Sequence, residues 1–256
     1  MRKTLLTVAG FDPSSGAGAT LDLRVFRHFG FHGLAILTAI TIQNSSRVYG
    51  YRTLSPKLVL EQYRRLKSDF NLSGIKIGML GSRKIIPVIA EIAGENRSLP
   101  LVVDPVFRSS SGRWLLEKSS LRSYLNAISG KITLITPNLQ EASLILGERI
   151  NRPEKMEEAA RRLSQLTSSA CLVKGGHLPG TTVAVNVLFD GGRFYHFQKK
   201  KLPLEVHGSG CFLSSALLCF LAAGCSLPEA CRRATAAVYH RLRSPLKISR
   251  RPLFDI

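Results

Sequence analysis

The alternation of short apolar runs with amphipathic segments is the feature that most restricts the fold of this chain. The runs suited to buried strands are LLTVAG, GLAILTAITIQ, GIKIGML, PLVVDPV, ITLITP and ACLVKGG, and helical patterns such as PKLVLEQYRRLKSDF separate several of them. Buried strands that alternate with helices are typical of a mostly parallel sheet with helices on both faces. Residues 183–189 and 192–197 flank Asp190-Gly191 and predict a hairpin of antiparallel edge strands. Two closing helices follow, over 209–224 and 227–243.

The sequence contains no linker, low-complexity tract or repeat, so we predict a single α/β domain over residues 1–256. Five cysteines without a C-x-x-C pair indicate reduced thiols. The longest apolar segment, ALLCFLAAGC, is far shorter than the ~20 residues that cross a bilayer. We therefore expect a cytoplasmic protein with no membrane partner.

A formal charge of +19 is the strongest anomaly of the composition. It is compatible with nucleic-acid binding or with attraction of a polyanionic small substrate. The charge is dense only at Lys199-Lys200-Lys201 and in the tail RLRSPLKISRRP, and no aromatic-interleaved RNA motif accompanies it. This distribution disfavours a dedicated nucleic-acid role and favours a basic surface that steers phosphates.

Several unusual loops follow the predicted strands, where open α/β sheets bind their ligands. These loops are GFDPSSGAG, TIQNSS, GMLGS, DPVFRSSSG, TPNLQE and VKGGH. The glycines of the first loop permit a tight turn and close backbone approach to a ligand, but a simple connection would use them too. The shared position of the loops predicts a ligand cleft.

The segment HGSGC precedes a predicted helix. Its glycines leave backbone N–H groups at the helix start, which favours an anion such as phosphate; alternatively Ser209 only caps the helix. Cys211 would lie in the first turn, where the pKa of a thiol tends to fall, or it would be a small buried residue.

Other polar residues at strand ends allow two interpretations each. Asn138 and Glu141 have the spacing of a capping box, yet their oxygens could also hold Mg²⁺. Lys174 lies beside two glycines and could contact phosphate or be a surface charge. Asp104 could serve a ligand or start a turn, and Gln43 could read a heterocycle or cap a strand. Neither a P-loop nor a G-x-G-x-x-G motif is present.

Seven segments taken in order, AGFDPSSGAG, TAITIQN, KIGML, VVDPV, TPNLQEA, VKGGH and HGSGC, resemble the hydroxymethylpyrimidine/phosphomethylpyrimidine kinases of thiamine biosynthesis. That family is ribokinase-like, and the resemblance implies a single-domain, three-layer sandwich that forms a homodimer. It also implies ATP- and Mg²⁺-dependent phosphorylation of 4-amino-5-hydroxymethyl-2-methylpyrimidine and then of its monophosphate to the diphosphate.

The resemblance also implies roles for individual residues. The pyrimidine side would comprise Gln43, Gly10, Asp22 and Met79, with Gln43 reading the ring nitrogen and the amino group. The ATP side would comprise Asp104, Asn138, Lys174 and Gly208, and Glu141 would be the metal-linked carboxylate. The catalytic set would be Cys211, Gly208, Gly210 and Lys174, with Cys211 at the position where most of the superfamily has an aspartate.

Five residues depart from the family pattern: Phe11, Phe107, Arg108, Asn186 and Phe212. We expect two phenylalanines near the site to narrow or reshape its substrate end, and Phe11, Phe107 and Phe212 are the candidates. Two other functions therefore stay open. One is a vitamin B6 kinase of the same superfamily, and the other is a basic, non-catalytic binding protein.

Overall fold

Strands and helices alternate along the chain in a computed structural model that describes residues 2–176, 178, 180–204 and 206–256. The strands are β1 (Thr4–Phe11), β2 (His32–Gln43), β3 (Val48–Thr53), β4 (Leu72–Ile77), β5 (Leu101–Val103), β6 (Leu134–Ile135), β7 (Ala170–Lys174), β8 (Val183–Asp190) and β9 (Arg193–Lys200). The helices are α1 (Gly18–His28), α2 (Pro56–Asp69), α3 (Ile86–Glu95), α4 (Leu121–Ile128), α5 (Leu139–Leu146), α6 (Pro153–Thr167), α7 (Ser209–Ala222) and α8 (Leu227–Leu242).

In the described residues these strands form one sheet in the order β3-β2-β1-β4-β5-β6-β7-β8-β9. All pairs from β2 through β7 are parallel, whereas β3, β8 and β9 are antiparallel additions at the two edges. The predicted α/β class, with a mostly parallel sheet and antiparallel edge strands, is confirmed. The carboxyl ends of the parallel strands consequently lie along one edge of the sheet.

Helices cover both faces of the sheet and form two hydrophobic cores. One core contains buried residues of α2, α3, α4, α5 and α6, and the other contains buried residues of α1, α7 and α8. Strand β1 lies between them and is buried at every position except Phe11. Because both faces are occupied by packing, the loops at the carboxyl edge are the part of the fold that is free to bind ligands.

Two local details differ from the sequence-based prediction. Helix α4 was not predicted, although its buried residues Leu121, Tyr124, Leu125 and Ile128 follow helical spacing. The run ITLITP yields only the short strand β6, although the backbone stays paired beyond it: Thr136 donates to the Val103 carbonyl and Lys174 donates to the Pro137 carbonyl, each at 2.8 Å.

The chain closes with a C-terminal hairpin, residues 246–253. Leu246 and Leu253 exchange backbone hydrogen bonds of 2.9 and 3.0 Å. Phe254 is completely buried and packs against Phe212, with ring centroids 4.6 Å apart. The hairpin is therefore anchored in the core beside α7. No helix in the described part of the chain is long and apolar enough to cross a membrane.

Candidate active site

Two neighbouring clefts open at the carboxyl edge of the sheet. The first cleft, of about 360 Å³, lies among the loops after β1, β2, β4, β5 and β6 and the start of α7. Ten of the predicted site residues line it: Gly10, Gln43, Met79, Asp104, Asn138, Glu141, Lys174, Gly208, Gly210 and Cys211. The second cleft, of about 540 Å³, lies between β8, β9 and α8 and includes Lys199-Lys200-Lys201. Side chains from distant parts of the sequence thus share one edge of the sheet.

The two clefts have a common wall. Among the described residues, six line both clefts: Asn138, Lys174, Val206, Ser209, Gly210 and Arg251. A ligand in one cleft and a ligand in the other would therefore meet at the start of α7.

Gly208 starts α7 in a conformation that side chains rarely adopt, with φ of 83°. A Cβ atom at this position would lie 1.9 Å from the carbonyl oxygen of Gly16. The cap residue of α7 is therefore Gly208, and the alternative that Ser209 caps the helix is wrong. No side chain caps the helix start, so its first N–H groups are available to an anion.

Lys174 at the end of β7 lies beside this helix start. A Cβ atom on Gly210 would be 3.2 Å from the Lys174 ammonium. The ammonium donates a 2.6 Å hydrogen bond to Asp104 and lies 4.0 Å from Glu141. Burial alone would lower the pKa of Lys174, but the two carboxylates raise it. His177, the last residue of VKGGH, lies outside the described residues.

Asn138 and Glu141 form a complete capping box at the start of α5. The Asn138 side chain accepts from the Glu141 N–H at 2.9 Å, and the Glu141 carboxylate accepts from the Asn138 N–H at 2.7 Å. Burial raises the pKa of Glu141; Lys174 opposes this shift and Asp104 adds to it. The capping interpretation is therefore correct. The capping box also holds the Glu141 carboxylate at the first cleft.

The carboxylates of Asp104 and Glu141 fit the needs of Mg²⁺, which usually takes one or two protein carboxylates together with substrate phosphates. Both lie near the same ammonium, at 2.6 and 4.0 Å, so a cation is already favourable between them. Within the described residues no group of three or more His, Cys, Asp or Glu side chains is arranged to hold a metal ion. A metal here would depend on phosphate oxygens for its remaining ligands.

Cys211 lies in the first turn of α7 and is partly buried, and of its two interpretations the lowered thiol pKa is not supported. Burial raises the pKa of Cys211 to about 11; Lys76 and the Gly18 N–H oppose the shift, and the Asp104 and Asp22 carboxylates add to it. The effect of the helix start is outweighed because the sulfur is removed from water. The thiol therefore carries its proton at neutral pH.

Asp22 does not line the first cleft, in contrast to the predicted role in the pyrimidine side. It lies beneath the cleft with no exposed surface and pairs with Lys76, which is also completely buried, at 2.7 and 2.9 Å. Thr7 and Ser215 donate further hydrogen bonds of 2.6 and 2.7 Å to the Asp22 carboxylate. Its oxygens are occupied within the protein, so Asp22 supports the site from below.

Lys76 lines the first cleft, and sequence reasoning missed it. The available signal was a lysine between Ile75 and Ile77 in a strand that is otherwise apolar. A charge in such a strand is rarely left unpaired.

Asp12 and His207 are a second pair that was missed. Asp12 is buried at the end of β1 and lies 3.0 Å from His207 Nε2. Burial alone would raise the pKa of Asp12, but hydrogen bonds from His207, Gln43 and Ser14 lower it. Asp12 is held by the Ser14 hydroxyl at 2.7 Å and by His207 at 3.0 Å, beside the Gln43 side chain. The signal was an aspartate within the glycine-bearing loop.

The residues that depart from the family pattern lie in different places. Phe11 and Arg108 line the first cleft, whereas Phe107 and Phe212 are buried in the two cores. The expectation that two phenylalanines shape the substrate end can hold only for Phe11, because Phe107, in the loop after β5, and Phe212, in α7, are buried and do not line the first cleft. Asn186 lines the second cleft.

Comparison with known proteins agrees with this arrangement. A family model described as phosphomethylpyrimidine kinase matches residues 12–252. The chain belongs to the phosphomethylpyrimidine kinase family. A hydroxymethylpyrimidine/phosphomethylpyrimidine kinase of Aquifex aeolicus is 39% identical over 214 residues, covering 83% of this chain and 84% of that protein. The resemblance found in the sequence motifs is confirmed.

Solved structures of this kinase fold are also similar. A phosphomethylpyrimidine kinase from Clostridium difficile aligns with a TM-score of 0.79 and 32% identity, covering 93% of this chain and 99% of that chain. The pyridoxal kinase from Staphylococcus aureus, solved with AMP-PCP and pyridoxal, aligns with a TM-score of 0.90 and 28% identity, covering 100% and 93%. Shape alone therefore does not separate the two kinds of kinase.

Proposed function

We propose that this protein transfers a phosphoryl group from ATP to 4-amino-5-hydroxymethyl-2-methylpyrimidine, and then to the resulting monophosphate, in thiamine biosynthesis. The observation that carries the proposal is the common wall of the two clefts, where Lys174 and the start of α7 meet. The alcohol would occupy the first cleft and the nucleotide the second. Their reacting ends would then lie at one site.

At the pyrimidine end of the first cleft, Gln43 offers hydrogen-bonding groups that match the ring. An amide carries both a donor and an acceptor, which suits a ring nitrogen beside an amino group. Gln43 lines the first cleft beside Asp12, so its amide would be available to the ring at this end of the cleft. Met79 and Gly10 supply a close apolar wall, since a Cβ atom on Gly10 would lie 2.8 Å from the Met79 sulfur.

The phosphate end would work by positioning and charge. Phosphoryl transfer is largely loose, so catalysis depends on holding the reactants in line and stabilising the charge on the phosphoryl oxygens. The first N–H groups of α7, from Ser209 onward, and the Lys174 ammonium are the groups suited to this role. Asp104 and Glu141 would hold Mg²⁺, which neutralises phosphate charge when bound.

Cys211 would accept the hydroxyl proton of the substrate. With a pKa of about 11, only about one thiol in 10,000 is ionised at pH 7. Lys76 and the Gly18 N–H favour the thiolate, and a loose transition state makes a modest demand on the base. Catalysis would therefore accelerate as the pH rises toward the pKa of this thiol.

The test is a coupled ATPase assay with the hydroxymethylpyrimidine, its monophosphate, pyridoxine and pyridoxal offered separately. We expect turnover with both pyrimidines and loss of turnover in Cys211→Ala with an unchanged circular dichroism spectrum. Faster turnover with a vitamin B6 alcohol than with the hydroxymethylpyrimidine would overturn the proposed substrate. The similarity to the S. aureus pyridoxal kinase makes that activity the second candidate. A Cys211→Ala variant with full turnover would refute the role of the thiol.

We also propose a homodimer that forms through the edge hairpin of β2 and β3. Ile40, Ile42 and Tyr49 are large apolar residues of this hairpin that are exposed in the single chain. A sheet edge with exposed apolar side chains is unfavourable unless another surface covers it. The family resemblance implies that a second copy of this chain covers the edge. The cytoplasmic location stays a prediction.

A further inference from the structure

The loop after β5 folds into a short loop hairpin, residues 107–115, that forms part of the wall of the first cleft. The Leu115 N–H donates to the Phe107 carbonyl oxygen at 2.8 Å and joins the two ends of the loop hairpin. The Arg113 guanidinium donates a 2.8 Å hydrogen bond to the carbonyl oxygen of Tyr49 in β3. The loop hairpin is therefore fixed by its own backbone and by the edge of the sheet.

Arg108 lies on this loop hairpin and lines the first cleft. Its guanidinium carbon is 3.9 Å from the centre of the Trp114 ring, a distance at which stacking and cation–π attraction hold the guanidinium plane. Among the residues that the structure describes, no hydrogen bond or ion pair engages this guanidinium. Because the ring covers a face of the group, the N–H donors at its edge stay available to a ligand.

The buried lysines of the first cleft are already neutralised. Lys76 pairs with Asp22 at 2.7 Å, and Lys174 pairs with Asp104 at 2.6 Å. The Arg108 guanidinium differs from both ammonium groups, because the partner that holds it is a neutral ring. Its charge is therefore not balanced by a carboxylate within the described residues.

Arg47 is a second exposed cation that lines the first cleft. It lies just before β3, and its guanidinium carbon is 5.6 Å from the centre of the Tyr49 ring. In the described part of the chain this guanidinium likewise meets a ring and no carboxylate. The two arginines bring positive charge to the alcohol side of the site, where an anionic ligand gains far more from it than a neutral one.

The two transfers of the proposed function differ in the charge of the acceptor. The hydroxymethylpyrimidine presents a neutral hydroxyl, whereas its monophosphate carries a charge of about −1.5 to −2 at pH 7. In the second transfer this phosphate must approach the terminal phosphate of ATP, which is also negative, and the repulsion between them is strong in a cleft that excludes water. A cation on the acceptor side would remove part of this repulsion.

We propose that Arg108, assisted by Arg47, binds the phosphate of a phosphorylated acceptor and thereby favours the second transfer over the first. This inference rests on the proposed function of the clefts. Guanidinium groups bind phosphate through two parallel N–H···O bonds, which adds orientation to charge. Arg108 is one of the residues that depart from the family pattern. It would therefore set the acceptor preference of this chain in particular.

The test compares Arg108→Gln with Arg113→Gln. Arg113 is exposed on the same loop hairpin and lines neither cleft, so its variant removes the same charge and also loosens the tie to Tyr49. Steady-state assays with ATP give kcat/KM for the monophosphate and for the hydroxymethylpyrimidine. The ratio of these two values is the readout, because it cancels differences in the amount of folded enzyme. Calorimetry with the monophosphate alone measures binding without turnover.

We expect Arg108→Gln to lower this ratio by about 10- to 100-fold, because a charge-assisted contact with only one of the acceptors is lost. The Kd of the monophosphate should rise by a similar factor. Arg113→Gln should change the ratio less than about threefold. Arg108→Lys keeps the charge and should recover part of the ratio, which a purely structural contact with Trp114 would not predict.

The proposal is overturned if Arg108→Gln lowers kcat/KM equally for both acceptors, or if its ratio matches that of Arg113→Gln. A wild-type protein that phosphorylates the hydroxymethylpyrimidine but does not bind the monophosphate would also refute the phosphate site, while the first transfer would stand. A wild-type protein that binds the monophosphate but phosphorylates neither pyrimidine would refute the proposed function. In that case, weaker binding of the monophosphate by Arg108→Gln than by Arg113→Gln would still support the phosphate site.

Discussion

Replacing Lys76 with methionine removes one half of an ion pair that has no exposed surface. The ammonium lies 2.7 and 2.9 Å from the two Asp22 oxygens, and both side chains are 0% exposed. In Lys76→Met, the Asp22 carboxylate would keep only the hydroxyl donors of Thr7 and Ser215. A buried carboxylate without its cation is strongly unfavourable.

The expected loss in the free energy of unfolding is about 3–5 kcal/mol, the range for breaking a buried ion pair. Each kcal/mol shifts the melting temperature of a chain of this size by about 2–4 °C, so a decrease of roughly 6–20 °C should follow. Urea unfolding followed by circular dichroism gives the free energy, and calorimetry gives the melting temperature. Lys84→Met is the control, because Lys84 is exposed.

A double-mutant cycle separates the pair from simple loss of packing. Lys76→Met combined with Asp22→Asn removes both charges and keeps an acceptor for Thr7 and Ser215. The double variant should lose at least about 2 kcal/mol less than the sum of the single variants. The reasoning fails if Lys76→Met is as stable as Lys84→Met, or if the two single losses simply add.

Three further predictions concern the start of α7, the thiol and the edge hairpin. Gly208→Ala should lower kcat by about 100-fold, because its Cβ would collide with the backbone and displace the N–H groups of the helix start. Gly224→Ala is the control: its φ is 96° and the space around it is open, so kcat should stay unchanged. The rate at which iodoacetamide alkylates Cys211 should rise about tenfold per pH unit from pH 7 to 10, because the pKa of the thiol is raised and the reactive thiolate forms only as the pH rises. Cys211→Ala measures the background alkylation of the other cysteines. A rate that levels off below pH 8 would contradict the prediction. Ile42→Asp should shift sedimentation toward the monomer, while Ile248→Asp, 72% exposed on the C-terminal hairpin, should not; equal effects would exclude the β2–β3 edge as the interface.

Much of the fold could be predicted because the strands of a buried sheet consist of hydrophobic runs, which are visible in the sequence. β1 and the hairpin of β8 and β9 begin and end within a few residues of their apolar or alternating patterns. β6 was overestimated because the run ITLITP begins at Ile132, whereas regular pairing with β5 and β7 covers Leu134 and Ile135. Helix α4 was missed although its spacing was readable, since it is short and follows a long polar loop.

Candidate site residues at strand ends could be found because topology brings those ends together, whatever the details of packing. Lys174 and Asp104 are examples, and they lie in hydrogen-bond contact although they are 70 positions apart. Asp22 could not be placed in this way. It belongs to a helix, and the side to which its carboxylate points depends on how α1 packs against β1 and α7.

The position of Arg251 could not be predicted from local sequence patterns, for a different reason. Among its contacts are the hydroxyls of Ser45 and Ser110, which belong to segments more than 100 residues away. The sequence shows a basic tail but not the loop against which the tail folds.

The wall shared by the two clefts makes the two ligands thermodynamically dependent on each other. Because six residues contact both spaces, a nucleotide that orders them changes the free energy of alcohol binding as well. Linkage requires the effect to be reciprocal: the factor by which bound nucleotide changes the Kd of the alcohol equals the factor by which bound alcohol changes the Kd of the nucleotide. One titration series therefore determines both couplings, and a Kd measured with either ligand alone describes only half of the enzyme's binding cycle.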